Sequence, residues 1–202
     1  MRAIHFKRSN EYALLRQRGV SIIEIYVRPY HIEDAEALLA CAVKNKSRWE
    51  RWMPIKPDAE SYTLGGQQAR ILEIMERSSK DEHHAFGIFL KEDDSLIGEV
   101  SVSFVMRGPA ETCMIGYQID ADHGGRGLMA QAIRLVLQIL FDGLGFHRIR
   151  AEVMPENLPS ARVLEKIGFV REGLARKSLY INGDWEDFVL FALLKEEYEW
   201  RR

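Results

Sequence analysis

The sequence predicts an α+β fold, a mixed and mostly antiparallel central sheet flanked by helices. Three observations lead there. Strand-like segments form a meander between residues 85 and 119. A glycine-rich turn then opens a strongly apolar helix over 128–141, followed by a β–helix–β crossover. Asn182-Gly183 closes a long terminal hairpin, in the pairing that a type I′ turn favours. With 202 residues, 47% hydrophobic and 29% charged, the chain suits one domain with a real core. That domain is read as 21–202, behind an N-terminal extension over 1–20.

Each element follows from its pattern. Ile22 to Arg28 alternates as a strand that Pro29 ends. Ile32 to Lys44 places Ala35, Leu38, Leu39 and Ala42 on one helical face. Trp49 to Pro54 reads as an aromatic loop or short helix. Tyr62 to Arg77 is a second helix with Leu64, Ile71, Leu72 and Met75 apolar, weakened near its start by Gly65-Gly66. Ala85–Leu90 and Leu96–Met106 read as a hairpin around the polar turn Lys91–Ser95. Thr112–Ile119 is a third strand, antiparallel to the second. His147–Met154 is a strand, and Pro159–Ile167 a short helix that ends at Gly168. Phe169–Arg176 and Lys177–Leu194 form the last hairpin, and Glu196–Arg202 a solvated or interface tail compatible with a homodimer.

Composition excludes several classes. The net charge of -2 gives no general affinity for nucleic acid or anionic membrane. No run approaches the roughly 18 apolar residues of a membrane span. The start, Met1 to Arg8, has no apolar segment of the secretory kind. Cys41 and Cys113 are isolated, which argues against a disulfide framework. A cytoplasmic location and no metal are expected. His83-His84 is read as a solvated pair and Cys113 as a buried core thiol.

Two segments carry chemistry. Asp120-Ala-Asp-His-Gly-Gly-Arg-Gly-Leu-Met-Ala130 places three glycines in four positions between a strand and a helix. Such a turn leaves backbone N–H groups uncovered at the positive end of the helix, an anion site suited to a diphosphate. About thirty residues later comes Asn157-Leu-Pro-Ser-Ala-Arg-Val-Leu-Glu-Lys-Ile-Gly-Phe169. Gly125-x-Gly127-x-x-Ala130, with Glu152 downstream, also fits a dinucleotide fingerprint and hence an oxidoreductase. Against that stands the meander before the loop.

Element order and motifs together resemble the GNAT superfamily of acetyl-CoA-dependent N-acetyltransferases, and within it the ribosomal-protein-alanine branch. The resemblance rests on Ile115-Gly-Tyr-Gln-Ile-Asp120, His123-Gly-Gly-Arg-Gly-Leu-Met-Ala-Gln-Ala132, the Asn157–Phe169 segment and the early Trp52-Met-Pro54. It spans about residues 22–197. The family's phosphate loop, Gln/Arg-x-x-Gly-x-Gly/Ala, falls on Gly124, Gly127 and Met129, so its first polar side chain is missing. Many relatives carry a tyrosine seven residues after the asparagine as the acid for the departing thiolate; here that position is Leu164.

The resemblance implies a splayed strand pair, 113–119 against 147–153, that holds acetyl-CoA. Its pantetheine arm would bond the backbone near Tyr117, Gln118 and Ile119. Gly124, Gly125, Arg126 and Gly127, then the N–H groups of Leu128, Met129 and Ala130, would hold the diphosphate. Asn157 is expected to contact the cofactor as well as cap its helix. Ser160 is expected to contact the cofactor and donate a proton to the leaving sulfur. Glu99 is the candidate general base, although alternation with Val100 and Val102 also fits a solvated strand face. Trp49 and Trp52 are candidate walls of the acceptor site. The acceptor is expected to be a protein N-terminal α-amine, with a polyamine or antibiotic amine as the other choice. An α-amine titrates near 7.7–8 against about 10.4 for lysine, so freeing it at neutral pH costs roughly 3–4 kcal/mol less. A fold that keeps the cofactor but has lost catalysis is the third reading.

Overall fold

A computed structural model describes residues 24–200. The extension expected over 1–20, and Ile22 and Ile23 of the first expected strand, lie outside the described residues. Strand β1 (Ile25–Pro29) leads through a 3-10 turn into helix α1 (Ala35–Glu50), and helix α2 (Leu64–Ser79) follows. The meander is β2 (His84–Leu90), β3 (Leu96–Met106) and β4 (Thr112–Ile119). After the glycine loop come α3 (Leu128–Gln138), β5 (Arg148–Val153) and α4 (Leu158–Ile167). The hairpin β6 (Val170–Ile181) and β7 (Asp184–Leu194) and a terminal helix α5 (Lys195–Trp200) complete the order. One seven-stranded sheet runs β1-β2-β3-β4-β5-β7-β6. Neighbouring strands are antiparallel except β4 and β5. A sheet with that single parallel pair is not the parallel array of a dinucleotide-binding domain.

Helices cover both faces. On one, α3 buries Leu128, Ala132, Ile133 and Val136 against Val100, Val102, Ile115 and Ile149, with Leu164 from α4. On the other, Leu38 and Trp49 of α1 and Ile71 of α2 pack on Ala85 and Phe89. Each glycine-free apolar stripe therefore lands on one sheet face, as a layered α+β domain requires. β3 and β4 approach closely at Gly98, where a Cβ would lie 2.4 Å from the Gln118 carbonyl oxygen.

Four details differ from the sequence reading. Helix α1 continues to Glu50, so Trp49 is helical, and its buried face is Ala35, Leu38, Cys41, Asn45 and Trp49. In α2 the buried positions are Gln67, Ile71 and Ile74, while Leu64, Leu72 and Met75 are exposed. Gln67 lies on that buried face, and its side chain donates to the Ser61 carbonyl. His84 is buried, bonded to Ser78 Oγ (2.8 Å) and Asp81 (2.9 Å), rather than solvated. The expected tail is a helix whose Tyr198 ring stacks on Phe141 at 5.0 Å.

The junction between β4 and the glycine loop is stapled to α1. Asn45 Nδ2 donates to Asp120 (3.1 Å), and Asn45 Oδ1 accepts from the Ala121 N–H (3.0 Å). Lys44 Nζ lies 2.9 Å from Asp120, which also accepts from the Asp122 N–H (2.8 Å). Burial of Asp120 opposes its charge, but Lys44, Asn45 and the Asp122 amide outweigh it and hold the carboxyl at about 2. A carboxyl depressed below its ordinary 3.8 stabilises the fold above that value and loses the effect as pH falls towards 2. Asp120→Asn should cost roughly 2 kcal/mol at pH 7 and flatten the acid limb of stability between pH 4 and 2. Urea midpoints across that range measure it, and an unchanged acid limb in Asp120→Asn would refute the staple.

Candidate active site

The glycine turn is built for positive φ. Gly125 and Gly127 sit at φ 74° and 78°, the left-handed region that side chains disfavour. Gly127 is the N-cap of α3, and the first bond of that helix runs from the Gln131 N–H to the Gly127 carbonyl (3.1 Å). The N–H groups of Leu128, Met129 and Ala130 are therefore left without helical partners. Among the described residues no backbone carbonyl takes the N–H groups of Gly125, Arg126 or Gly127. Uncovered donors and the helix dipole together make an anion site.

Two cations from distant segments flank this turn. The Arg48 guanidinium of α1 lies 3.6 Å from where a Gly124 Cβ would stand, and Lys166 Nζ of α4 lies 4.0 Å from that of Gly127. Sequence reasoning missed both, because only packing brings α1 and α4 to opposite ends of the loop. Arg126 is exposed beside them.

A gap runs from the loop into the sheet. β4 pairs with β5 only at Thr112–Arg148, Cys113–Ile149 and Met114–Arg150, yet β4 continues to Ile119 and β5 to Val153. The Asp120 N–H donates to Ile97 in the β2–β3 hairpin (2.7 Å). The alternation of an antiparallel ladder then turns the backbone groups of Tyr117 and Ile119 towards the gap, and those of Gln118 towards Glu99 in β3. The end of α1 braces both arms. Trp49 donates its indole N–H to the Ile119 carbonyl (3.3 Å) on β4. Trp52 packs on Met154, just past β5, with Ile181 and Phe188 of the last hairpin. Asn182 at the hairpin tip donates to the Arg51 carbonyl (2.9 Å) and locks that contact.

The two faces of the gap carry different chemistry. On the α4 side, Ser160 Oγ donates to the Tyr117 hydroxyl (2.8 Å), which donates to the Ser160 carbonyl (3.1 Å). Burial pushes the Tyr117 phenol well above its usual range, with the Ser160 bond partly offsetting it. Asn157 caps α4 by accepting from the Ser160 N–H (3.3 Å), and Pro159 occupies the first turn. Leu164 is wholly buried. On the opposite face Glu99 is 95% buried and accepts from Arg70 (2.6 and 2.8 Å) and from the Tyr30 hydroxyl (2.8 Å). Arg70 and Tyr30 were not among the expected site residues, and no local pattern marks them.

Cys113 is fully buried, and burial pushes its thiol up to about 12. Among the described residues no three His, Cys, Asp or Glu side chains gather as a metal site. Nor is any helix there long and apolar enough to cross a membrane.

A loop that offers bare amides to a phosphate, set at the mouth of a split parallel pair, defines an acyl-carrier-dependent transferase fold. The model of the acetyltransferase (GNAT) domain matches residues 24–170, and the chain belongs to that family of N-acetyltransferases. It is 48% identical over 175 residues to a probable N-acetyltransferase of Bacillus subtilis, YjcK, covering 87% of this chain and 96% of that one. It is 33% identical over 174 residues to the ribosomal protein uS5-alanine N-acetyltransferase of Escherichia coli, covering 86% and 89%. RimJ of Mycobacterium smegmatis, solved with CoA-disulfide, superposes with a TM-score of 0.81 at 27% identity, covering 86% of this chain and 83% of that one.

Proposed function

We propose that this N-acetyltransferase moves the acetyl group of acetyl-CoA directly onto the N-terminal α-amine of a protein. The observation that carries the reading is the β4–β5 gap. It starts at an anion-binding loop, exposes the backbone of Tyr117 and Ile119, and separates a hydroxyl pair from a carboxylate. The uS5-alanine acetyltransferase relative supports a protein N-terminus as acceptor.

In this reading the amides of residues 125–130 bind the diphosphate, and Arg48, Arg126 and Lys166 neutralise it. Met129 takes part through its main chain alone, since its side chain is buried in the core. The Tyr117 and Ile119 N–H groups align the pantetheine arm and polarise the thioester carbonyl. Gln118 contributes its side chain on the Glu99 face, and Asn157 contacts the carrier from the α4 cap. Trp52 walls the acceptor side, with Trp49 fixing the turn that carries it. Glu99 accepts the amine proton through water. Three hydrogen bonds from Arg70 and Tyr30 hold its carboxylate in place, and an α-amine already near its titration point at neutral pH needs little help to lose its proton.

Three measurements test this. Acetyl-CoA with N-terminal alanine peptides, polyamines or aminoglycosides, followed by release of free thiol, should give the highest kcat/KM with the peptides. A higher value for either small amine would overturn the acceptor assignment. Gly127→Glu should weaken CoA binding by calorimetry a hundredfold or more, since like charges about 4 Å apart repel by roughly 4 kcal/mol near a protein surface. Unchanged affinity would remove the loop from the site. Glu99→Gln should lower kcat by about a hundredfold, the low end for general base catalysis. Wild-type kcat in a folded Glu99→Gln protein excludes Glu99 from the proton path.

A further inference from the structure

Alternation along the strands sorts their side chains to two faces of the sheet. Val100 and Val102 of β3, Ile115 of β4, and Ile149 and Ala151 of β5 join the core cluster with α3. Glu99, Gly116, Gln118, Arg150 and Glu152 therefore share the opposite face. There α1 and α2 pack on β1, β2 and the start of β3, and no residue of β4 or β5 belongs to their cluster. β4 and β5 thus floor a trough between those helices and the β7–β6 end of the sheet. Gly116 leaves its middle without a side chain: a Cβ there would meet only Ser101 Oγ, at 3.1 Å.

One cation in the trough is left over. Arg148 donates to the Glu172 carboxylate of β6 through both terminal nitrogens, Nη1 at 2.7 Å. Arg150, two residues on, has no such carboxylate. Its Nε is buried and unbonded, and among the described residues no hydrogen bond or ion pair engages the guanidinium. Nearby on β4 the buried Thr112 hydroxyl also lacks a partner. A partly buried charge without a counterion is held at a cost to stability, which a bound anion offsets. We propose that Arg150 binds an acidic side chain at the second to fourth residue of the acceptor protein. The inference rests on the reading above that the acceptor is a protein N-terminus, and it names which N-termini the site takes.

Charge order and length fit that assignment. The β4–β5 pairing ends at Met114–Arg150, so Glu152 lies on the unpaired stretch of β5 that borders the gap. Among the described residues Glu152 has no partner either, and the two do not pair with each other. Along β5 the trough therefore presents a carboxylate beside the gap and a guanidinium about 6.6 Å further from it. An acceptor with an ammonium first and a carboxylate a little later matches that order. The thioester lies level with Tyr117 in this reading, and Arg150 is level with Met114, three residues down β4. An extended chain advances about 3.3–3.6 Å per residue, so its third or fourth residue comes beside Arg150, and the reach of the guanidinium brings in the second. A guanidinium suits the task because its fork donates two parallel bonds to one carboxylate.

The test walks one glutamate through positions two to six of alanine-led peptides, each matched with its glutamine counterpart, with acetyl-CoA as donor. At one position between two and four, wild type should prefer glutamate about tenfold in kcat/KM, through KM, the worth of one charged hydrogen bond at a half-exposed site. The preference should shrink as salt is raised. Arg150→Gln should bring the glutamate-to-glutamine ratio to about one, and Arg150→Glu should favour lysine at the same position. Arg150→Met, which keeps the packing of the stem, gives the same reading if Arg150→Gln does not fold. Each ratio is taken within one folded protein, so a general loss of activity does not imitate the effect. Wild-type turnover of alanine peptides with no glutamate preference at positions two to four overturns the inference and leaves the protein-acceptor reading standing. A preference that survives in Arg150→Gln or Arg150→Met also overturns it. Wild type that acetylates no peptide counts against the acceptor reading itself, and the role of Arg150 falls with it.

Discussion

The structure depends on keeping two neighbouring parallel strands apart. β4 and β5 pair for three residues and then diverge, leaving strand backbone without a sheet partner. Each backbone group deprived of its bond costs on the order of 1–3 kcal/mol if it is also hidden from water. A sheet left to itself would zip closed. Contacts outside the sheet prevent it: Trp49 on one arm, Trp52 on the other, the Tyr117–Ser160 bridge between arm and helix, and the Asp120 staple at the open end. The last turn of α1 acts as a wedge, and the β6–β7 hairpin tip fastens it.

Charge follows the same geometry. The chain as a whole is slightly acidic, with a net charge of -2. Around the N-terminus of α3, however, Arg48, Arg126 and Lys166 meet the positive end of a helix dipole. The nearest buried carboxylate, Asp120, is neutralised by Lys44 and turned towards α1. The Glu99 carboxylate lies across the sheet, compensated by Arg70. The cations around the glycine turn and the Arg70-bound Glu99 carboxylate thus occupy separate places on the fold.

Much of this was legible from residues alone. The meander, the terminal hairpin at Asn182-Gly183 and the caps of α4 at Asn157 and Gly168 are local, set by turn chemistry over a few positions. The glycine turn was legible for the same reason: only glycine supplies its positive φ without strain. The face of α2 was not, because Ile71 belongs to two overlapping apolar stripes, and the buried one includes a glutamine that an apolar pattern does not mark. The length of α1 was missed because Trp49 to Pro54 read as an aromatic loop or short helix, whereas the helix runs on to Glu50 and Trp49 bonds the Ile119 carbonyl. Arg70, Tyr30, Arg48 and Lys166 carry no local signature. Their partners lie 29 or more residues away for Arg70 and Tyr30, and on another helix or the loop for the other two.

By itself, the sequence determined the order of elements, the glycine turn before α3 and the absence of a tyrosine at position 164, since each depends on short-range periodicity, backbone sterics or residue identity. Tertiary structure decided where β4 leaves β5, which cations face the loop, what occupies the Glu99 carboxylate and that Tyr117 meets Ser160. Those outcomes depend on how helices settle onto a twisted sheet, and no window along the chain contains both partners of such a contact.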